Sequence, residues 1–139
     1  MILLDTNIVS EVMRRIPSER VLSWLDNKNH TDLLVSSITI AEICYGLRIL
    51  PVGQRRKQLE VGFEKLVARR FSGRIIDFAE SAARVYAEIM GACKEKGRPM
   101  SIPDGQIAAG GRRDQHLALA TRNICVFVNV KFEFINSFE

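Results

Sequence analysis

Met1-Ile2-Leu3-Leu4-Asp5-Thr6-Asn7 runs from an unbroken apolar stretch straight into residues that cap helices. Such a run reads as a buried parallel strand, Ile2 to Leu4, feeding a helix. Helical spacing follows from Ile8 to Arg15, with Ile8, Val9, Val12 and Met13 on one face, until Pro17 breaks it. The same strand-then-helix phrase recurs along the chain. Leu33-Leu34-Val35 reads as a second buried strand, followed by Ser36-Ser37 and a helix from about Thr39 to Leu50, which Pro51 stops. Arg74 to Phe78 is a third, shorter strand before a long helix, Glu80 to Lys96, with Gly97 as its C-terminal cap. Leu117 to Ala120 is a fourth strand, and Val130 to Ile135 a fifth at an edge.

The remaining segments are helical. Ser18 caps a helix carrying Val21, Leu22, Trp24 and Leu25. Gln54 to Phe71 forms a basic amphipathic helix. Pro103 suits the first turn of a helix from Asp104 to about Gln115, in which Gly110 and Gly111 each cost about 1 kcal/mol relative to Ala. Strands alternating with helices predict an α/β/α sandwich with a central, mostly parallel sheet of about five strands. The length, 139 residues, fits a single domain over 1–139.

Composition narrows the class further. Hydrophobic residues at 47% and charged residues at 26% exclude a disordered tail or a collagen-like rod and supply one sizeable core. No apolar run approaches the roughly 20 residues of a membrane helix, and Asp5 interrupts any signal-peptide core, so no membrane association and a cytoplasmic location are expected. Cys44, Cys93 and Cys125 are scattered and form no C-x-x-C pair, which argues against a disulfide framework or zinc ribbon. Two histidines, His30 and His116, argue against a histidine-rich metal site and most Ser–His or Cys–His hydrolases. Neither G-x-G-x-x-G nor G-x-x-x-x-G-K-[ST] occurs, so a nucleotide-binding enzyme is disfavoured. A net charge of +4 permits a nucleic-acid partner without demanding one.

In parallel α/β sheets the site lies beyond the carboxyl ends of the strands. Asp5 ends the first strand, Glu42 lies one helical turn after the second, Asp104 begins a helix, and Thr121-Arg122-Asn123 end the fourth strand. Converging carboxylates without lysine or histidine repel one another and need a cation between them. Hard oxygen ligands suit Mg²⁺ or Mn²⁺. An ion so held polarises a phosphate and lowers the pKa of bound water, which is phosphodiester hydrolysis chemistry. Taken singly, each residue also has a plainer explanation. Asp5 caps a helix, Thr39-Ile40-Ala41-Glu42 fits a capping box, Asp104 suits a helix dipole, and Asn123 suits a turn.

Four blocks weigh against that plainer account. Residues 1–7, Ser37-Ile38-Thr39-Ile40-Ala41-Glu42 with Gly46-Leu47, Ile102-Pro103-Asp104-Gly105-Gln106-Ile107-Ala108-Ala109, and Leu119-Ala120-Thr121-Arg122-Asn123 resemble the motifs of PIN-domain proteins, in family order. Within the family the chain is most similar to the VapC and FitB branch of bacterial toxins. The resemblance implies a Mg²⁺- or Mn²⁺-dependent endoribonuclease, the toxin half of a toxin–antitoxin pair. It also implies that Asp5, Glu42 and Asp104 bind the metal and serve catalysis, with Thr6, Thr121 and Asn123 in support. The implied partners are RNA as substrate, a cognate antitoxin, a second copy in a homodimer, and a complex of toxin and antitoxin with DNA.

Two departures from the family pattern stand out. Val126 and Asn123 are neutral where relatives carry acids, so one metal, or a weakly held second, is expected. Gly110-Gly111 replaces an apolar small-residue helix and is expected to loosen the helix that presents Asp104. Two alternatives remain: a non-cleaving PIN-like module that binds RNA or protein, and a Mg²⁺-binding signalling receiver domain. The receiver would want adjacent acids and a mid-chain phosphoacceptor, where Ser36-Ser37 stand instead. Glu80 is a possible outer group of the site or a first-turn acid. Most of the basic residues, among them Arg14, Arg15, Arg55 and Arg56, read as solvated helix faces, with a subset near the acids available for phosphates. Tyr45 and Tyr86 read as packed residues, and the apolar stripe that includes Leu47, Ile49 and Phe63 as core, while the resemblance implies that part of the stripe is an interface with a second copy or the antitoxin.

Overall fold

A computed structural model describes residues 1–112, 117–120 and the backbone of 133–135. Among these residues five strands form one sheet: β1 (Ile2–Leu4), β2 (Leu33–Ser36), β3 (Ile75–Ile76), β4 (Ala118–Ala120) and β5 (Glu133–Ile135). Their order is β3-β2-β1-β4-β5, and every pairing is parallel. Leu4 sits in register with Val35 on one side and Ala120 on the other, which makes β1 the central strand. The fifth strand lies at an edge as expected, over Glu133–Ile135; residues 130–132 fall outside the described set.

Among the described residues six α-helices cover the sheet: α1 (Thr6–Val12), α2 (Glu19–Asp26), α3 (Ser37–Arg48), α4 (Gln54–Leu66), α5 (Glu80–Glu95) and α6 (Ile102–Arg112). The period-two alternation of the strands sorts them into two layers. Leu4 and Ala120 pack with Ile8, Val21, Ile43 and Phe63 from α1 to α4. Leu3 and Leu119 pack with Ile89, Cys93 and Ile107 from α5 and α6. Leu3, Leu4 and Leu119 are at most 1% exposed, and burial of each contributes roughly 1.5–3 kcal/mol. The expected α/β/α sandwich is what forms. Among the described residues no helix is long and apolar enough to cross a membrane.

Several expected boundaries shift for physical reasons. The first helix starts at Thr6 rather than Ile8, because the Asp5 carboxylate accepts the Thr6 N–H, and it ends at Val12. The third helix starts at Ser37 rather than Thr39, because the Ser36 hydroxyl accepts the Ile38 N–H. Thr39 is therefore interior and fully buried, and the capping box expected over Thr39 to Glu42 does not form. The basic helix stops at Leu66 and continues as a π-helical turn, Val67–Phe71. Eight residues of α-helix overshoot two turns by about 80°. The wider i→i+5 turn reduces that overshoot and brings Phe71 onto the buried side with Phe63.

The third strand is cut to two residues, since the Phe78 N–H leaves the ladder for the Ser37 hydroxyl. Gly97 stops α5 as expected: at φ +69° it lets Arg98 N–H donate to Cys93 O. Tyr86 packs edge-to-face on Phe78. Tyr45, expected to pack in the interior, stands on the outer side of α3 at 68% exposure, and Ile49, just past the end of that helix, is 64% exposed.

Candidate active site

Asp5 leaves β1 at the carboxyl edge of the sheet, and its N–H extends the ladder by donating to Ala120 O at 2.9 Å. The side chain is 2% exposed. One carboxylate oxygen accepts the Thr6 N–H at 2.8 Å, and the other accepts Asn7 Nδ2 at 3.4 Å. Asp5 is therefore the N-cap of α1, as its plainer explanation has it, at the position where a strand-end acid is wanted.

Glu42 comes from the second turn of α3. Thr6 Oγ1 donates to its Oε1 at 2.7 Å, joining residues 36 apart in sequence. Thr6 thus touches both acids, Asp5 through its backbone and Glu42 through its hydroxyl. Thr39 Oγ1 lies 3.1 Å from Thr6 Oγ1, inside the protein. Thr39 was legible only as a helix cap. The signal that could have found it is spacing: three residues before Glu42 on a helix puts both side chains on one face.

Asp104 stands in the first turn of α6, half-buried, with its N–H donating to Ser101 Oγ at 3.3 Å. The helix is held close to α5 by Gly105, where a Cβ would stand 2.5 Å from Met90 Sδ and 3.0 Å from Tyr86 Cε2. The expected weakening at Gly110-Gly111 does not interrupt α6, which runs to Arg112 with both glycines buried against the sheet layer.

The structure thus joins Asp5, Thr6, Thr39 and Glu42 by hydrogen bonds and sets Asp104 apart. Among the described residues no group of three Asp, Glu, His or Cys side chains is close enough to hold one ion. Thr121, Asn123 and Val126 lie outside the described residues. The donors that are in place are carboxylate and hydroxyl oxygens, a hard set. Mg²⁺ keeps several waters and uses one or two carboxylates, so this chemistry fits it without a closed cage. Glu80 takes no part: it is exposed at the start of α5 and pairs with Arg84 at 3.3 Å.

Thr6 and Glu42 line a cleft of ≈ 1040 Å³ between α1, α3 and α4. Its floor includes Met13, Ile43, Leu47 and Leu59, and Arg14, Arg15 and Arg55 also line it.

The described strands are all parallel, and two carboxylates, Asp5 and Glu42, meet through Thr6 beside the end of β1, an arrangement of the α/β class. Comparison with known proteins makes the assignment specific. A PIN domain family model matches residues 2–123, and the chain belongs to the PIN domain family. It is 40% identical over 123 residues to Toxin FitB of Neisseria gonorrhoeae, covering 88% of each chain. It is 35% identical over 139 residues to VapC ribonuclease Y4jK of Sinorhizobium fredii, covering 100% of this chain and 99% of the relative. A solved structure of FitAB bound to an IR36 DNA fragment superposes with a TM-score of 0.90 at 37% identity, covering 100% of this chain and 96% of that one.

Proposed function

We propose that this chain is a divalent-metal-dependent endoribonuclease, the toxin of a toxin–antitoxin pair. The observation that carries this is the pairing of Asp5 and Glu42 through Thr6 at the carboxyl edge of a PIN domain. Similarity along the whole chain to a VapC ribonuclease supports it. Asp5 and Asp104 would hold Mg²⁺ or Mn²⁺, with Glu42 binding directly or through water. The bound ion supplies polarisation of the scissile phosphate and a water of lowered pKa.

The chain's own residues prepare that chemistry. Thr6 fixes the Glu42 carboxylate, and Thr39 buttresses Thr6 from the interior. Thr121 and Asn123 are assigned supporting roles in orienting ligands or water. Water is the nucleophile, so no side chain bonds covalently to RNA and the products carry a 5′-phosphate and a 3′-hydroxyl. With Asn123 and Val126 neutral, the site would hold one metal, or a second only weakly.

A cognate antitoxin neutralises the enzyme. Similarity to the FitAB–DNA assembly supports a heteromeric complex that binds DNA. A homodimer, a single functional domain over 1–139 and a cytoplasmic place of action complete the proposal.

The test is cleavage of a small-RNA pool by pure, antitoxin-free protein with Mg²⁺ or Mn²⁺. EDTA and the Asp5→Asn/Asp104→Asn variant serve as controls. Discrete cuts that need both metal and acids are expected. RNA left intact by folded protein in either metal would move the function to a non-cleaving binder.

A further inference from the structure

The cleft holding Glu42 and Thr6 carries cations that the metal chemistry does not use. Arg14, Arg15 and Arg55 line it. Outside the cleft, Arg56 pairs with Glu60, Arg70 with Asp26 and Arg84 with Glu80. Arg15 and Arg55 make no ion pair among the described residues. Two unpaired cations in one cleft with a carboxylate site invite an anion.

Arg14 differs in being anchored. Its Nη1 donates to Glu11 at 3.2 Å from Oε2 and 3.5 Å from Oε1. Glu11 is 7% exposed, an unfavourable place for a carboxylate unless its charge and lone pairs are met. They are met twice, because Oε1 also accepts the Ser18 N–H at 2.9 Å. One buried carboxylate therefore ties the end of α1 to the start of α2. Between the tied points lie Arg14 and Arg15. The anchor takes one guanidinium nitrogen, Nη1, and the Arg14 side chain remains 65% exposed, so the rest of the head is open to the cleft.

We propose that Arg14, Arg15 and Arg55 hold the phosphates of the RNA strand beside the acids, and that Glu11 is the positioning residue that sets Arg14. This rests on the ribonuclease function proposed above. Its physical need is plain: Glu42 and Asp5 repel a polyanion, and cations in the same cleft offset that repulsion where the strand must lie. Contacts of this type fix the strand's place without reading its bases.

The experiment is equilibrium binding of the full chain to fluorescein-labelled single-stranded RNA in EDTA, where no cutting occurs, across a salt series. Arg15→Ala/Arg55→Ala is expected to weaken binding about tenfold. It should also flatten the log K against log[salt] slope by about 0.7 for each phosphate no longer neutralised. Glu11→Gln keeps an acceptor for the Ser18 N–H and loses only the charge that holds Arg14. It is expected to weaken binding about threefold alone and to add nothing in an Arg14→Ala background, since coupled residues are not additive. Additive losses from Glu11→Gln and Arg14→Ala would reduce Glu11 to a structural role and overturn the positioning claim. Wild-type binding with variants of equal affinity and slope would overturn the phosphate sites while leaving the ribonuclease function standing. Variants that bind RNA normally but lose a protein partner would reassign the cleft to that partner. Wild-type protein that neither binds RNA here nor cuts it in Mg²⁺ would remove both proposals together.

Discussion

The Thr6 hydroxyl donates to Glu42 Oε1 at 2.7 Å while the Thr6 amide donates to Asp5. One residue therefore bridges an acid at the end of β1 and an acid carried by α3. A hydrogen bond to a charged group is worth about 1.5–3 kcal/mol, or roughly 10- to 100-fold in a rate that depends on it. Thr6→Val is expected to lower kcat/KM for RNA cleavage by that range, and Thr6→Ser to restore most of it. Thr6→Ser should also keep the wild-type melting temperature, whereas Thr6→Val takes the Thr6 hydroxyl from the buried Thr39 and should lower it. Equal activity of the Val and wild-type proteins would remove Thr6 from the site.

Asp5 serves two purposes that substitution can separate. Asn is as good an N-cap as Asp, whereas Ala costs about 0.5–2 kcal/mol at such a position. Asp5→Asn is expected to keep the thermal stability of α1 and abolish metal-dependent cleavage. Asp5→Ala should lose both cleavage and stability. Paired denaturation and cleavage assays decide it: an active Asp5→Asn protein would leave Asp5 as a cap alone.

Cys44 offers a test of local electrostatics away from the site. Partial burial and then the neighbouring Glu64 carboxylate push its thiol pKa above the usual value. The thiolate is the nucleophile, so a raised pKa means slower alkylation at neutral pH. Iodoacetamide is expected to label Cys44 more slowly than free cysteine in the same buffer, with the rate read by peptide mass spectrometry. Glu64→Gln should speed it. A rate equal to free cysteine and indifferent to Glu64 would contradict the raised pKa.

The strand-then-helix phrase was legible because an apolar run of three or four residues followed by Asp or Ser has few other uses in a domain of this size. Asp5 and Glu42 were legible for the same reason, as acids placed just past such runs. Helix starts were not. Ser36, Ser37 and Thr39 can all cap, and only the pairing of Ser36 with Ile76 at the end of β2 leaves Ser36 as the residue that does. Thr39 as a buttress was out of reach, since its hydroxyl matters only once α1 lies against α3. The π-helical turn before Phe71 answers to the depth of the core beneath it, which spacing along the chain does not carry. Tyr45 misled because a ring at helical spacing reads alike whichever side of the helix it occupies.

Gly105 and Gly110 sit in one helix and should respond oppositely to added side chains. At Gly110 a Cβ would meet only Ile76 Cγ2, at the ordinary contact distance of 3.9 Å. Gly110→Ala therefore adds no clash and recovers helix propensity, so stability should rise by about 0.5–1 kcal/mol. At Gly105 the space is taken by Met90 and Tyr86 of α5. Met90 can swing aside for one methyl group, but the branched side chain of Gly105→Val forces α6 off α5, at a cost of about 1–3 kcal/mol. Asp104 precedes Gly105 directly, so that displacement should also reduce cleavage, whereas Gly110→Ala should leave it intact. Thermal melts of the two variants check the signs. A destabilised Gly110→Ala protein would mean that the buried end of α6 needs its glycines after all.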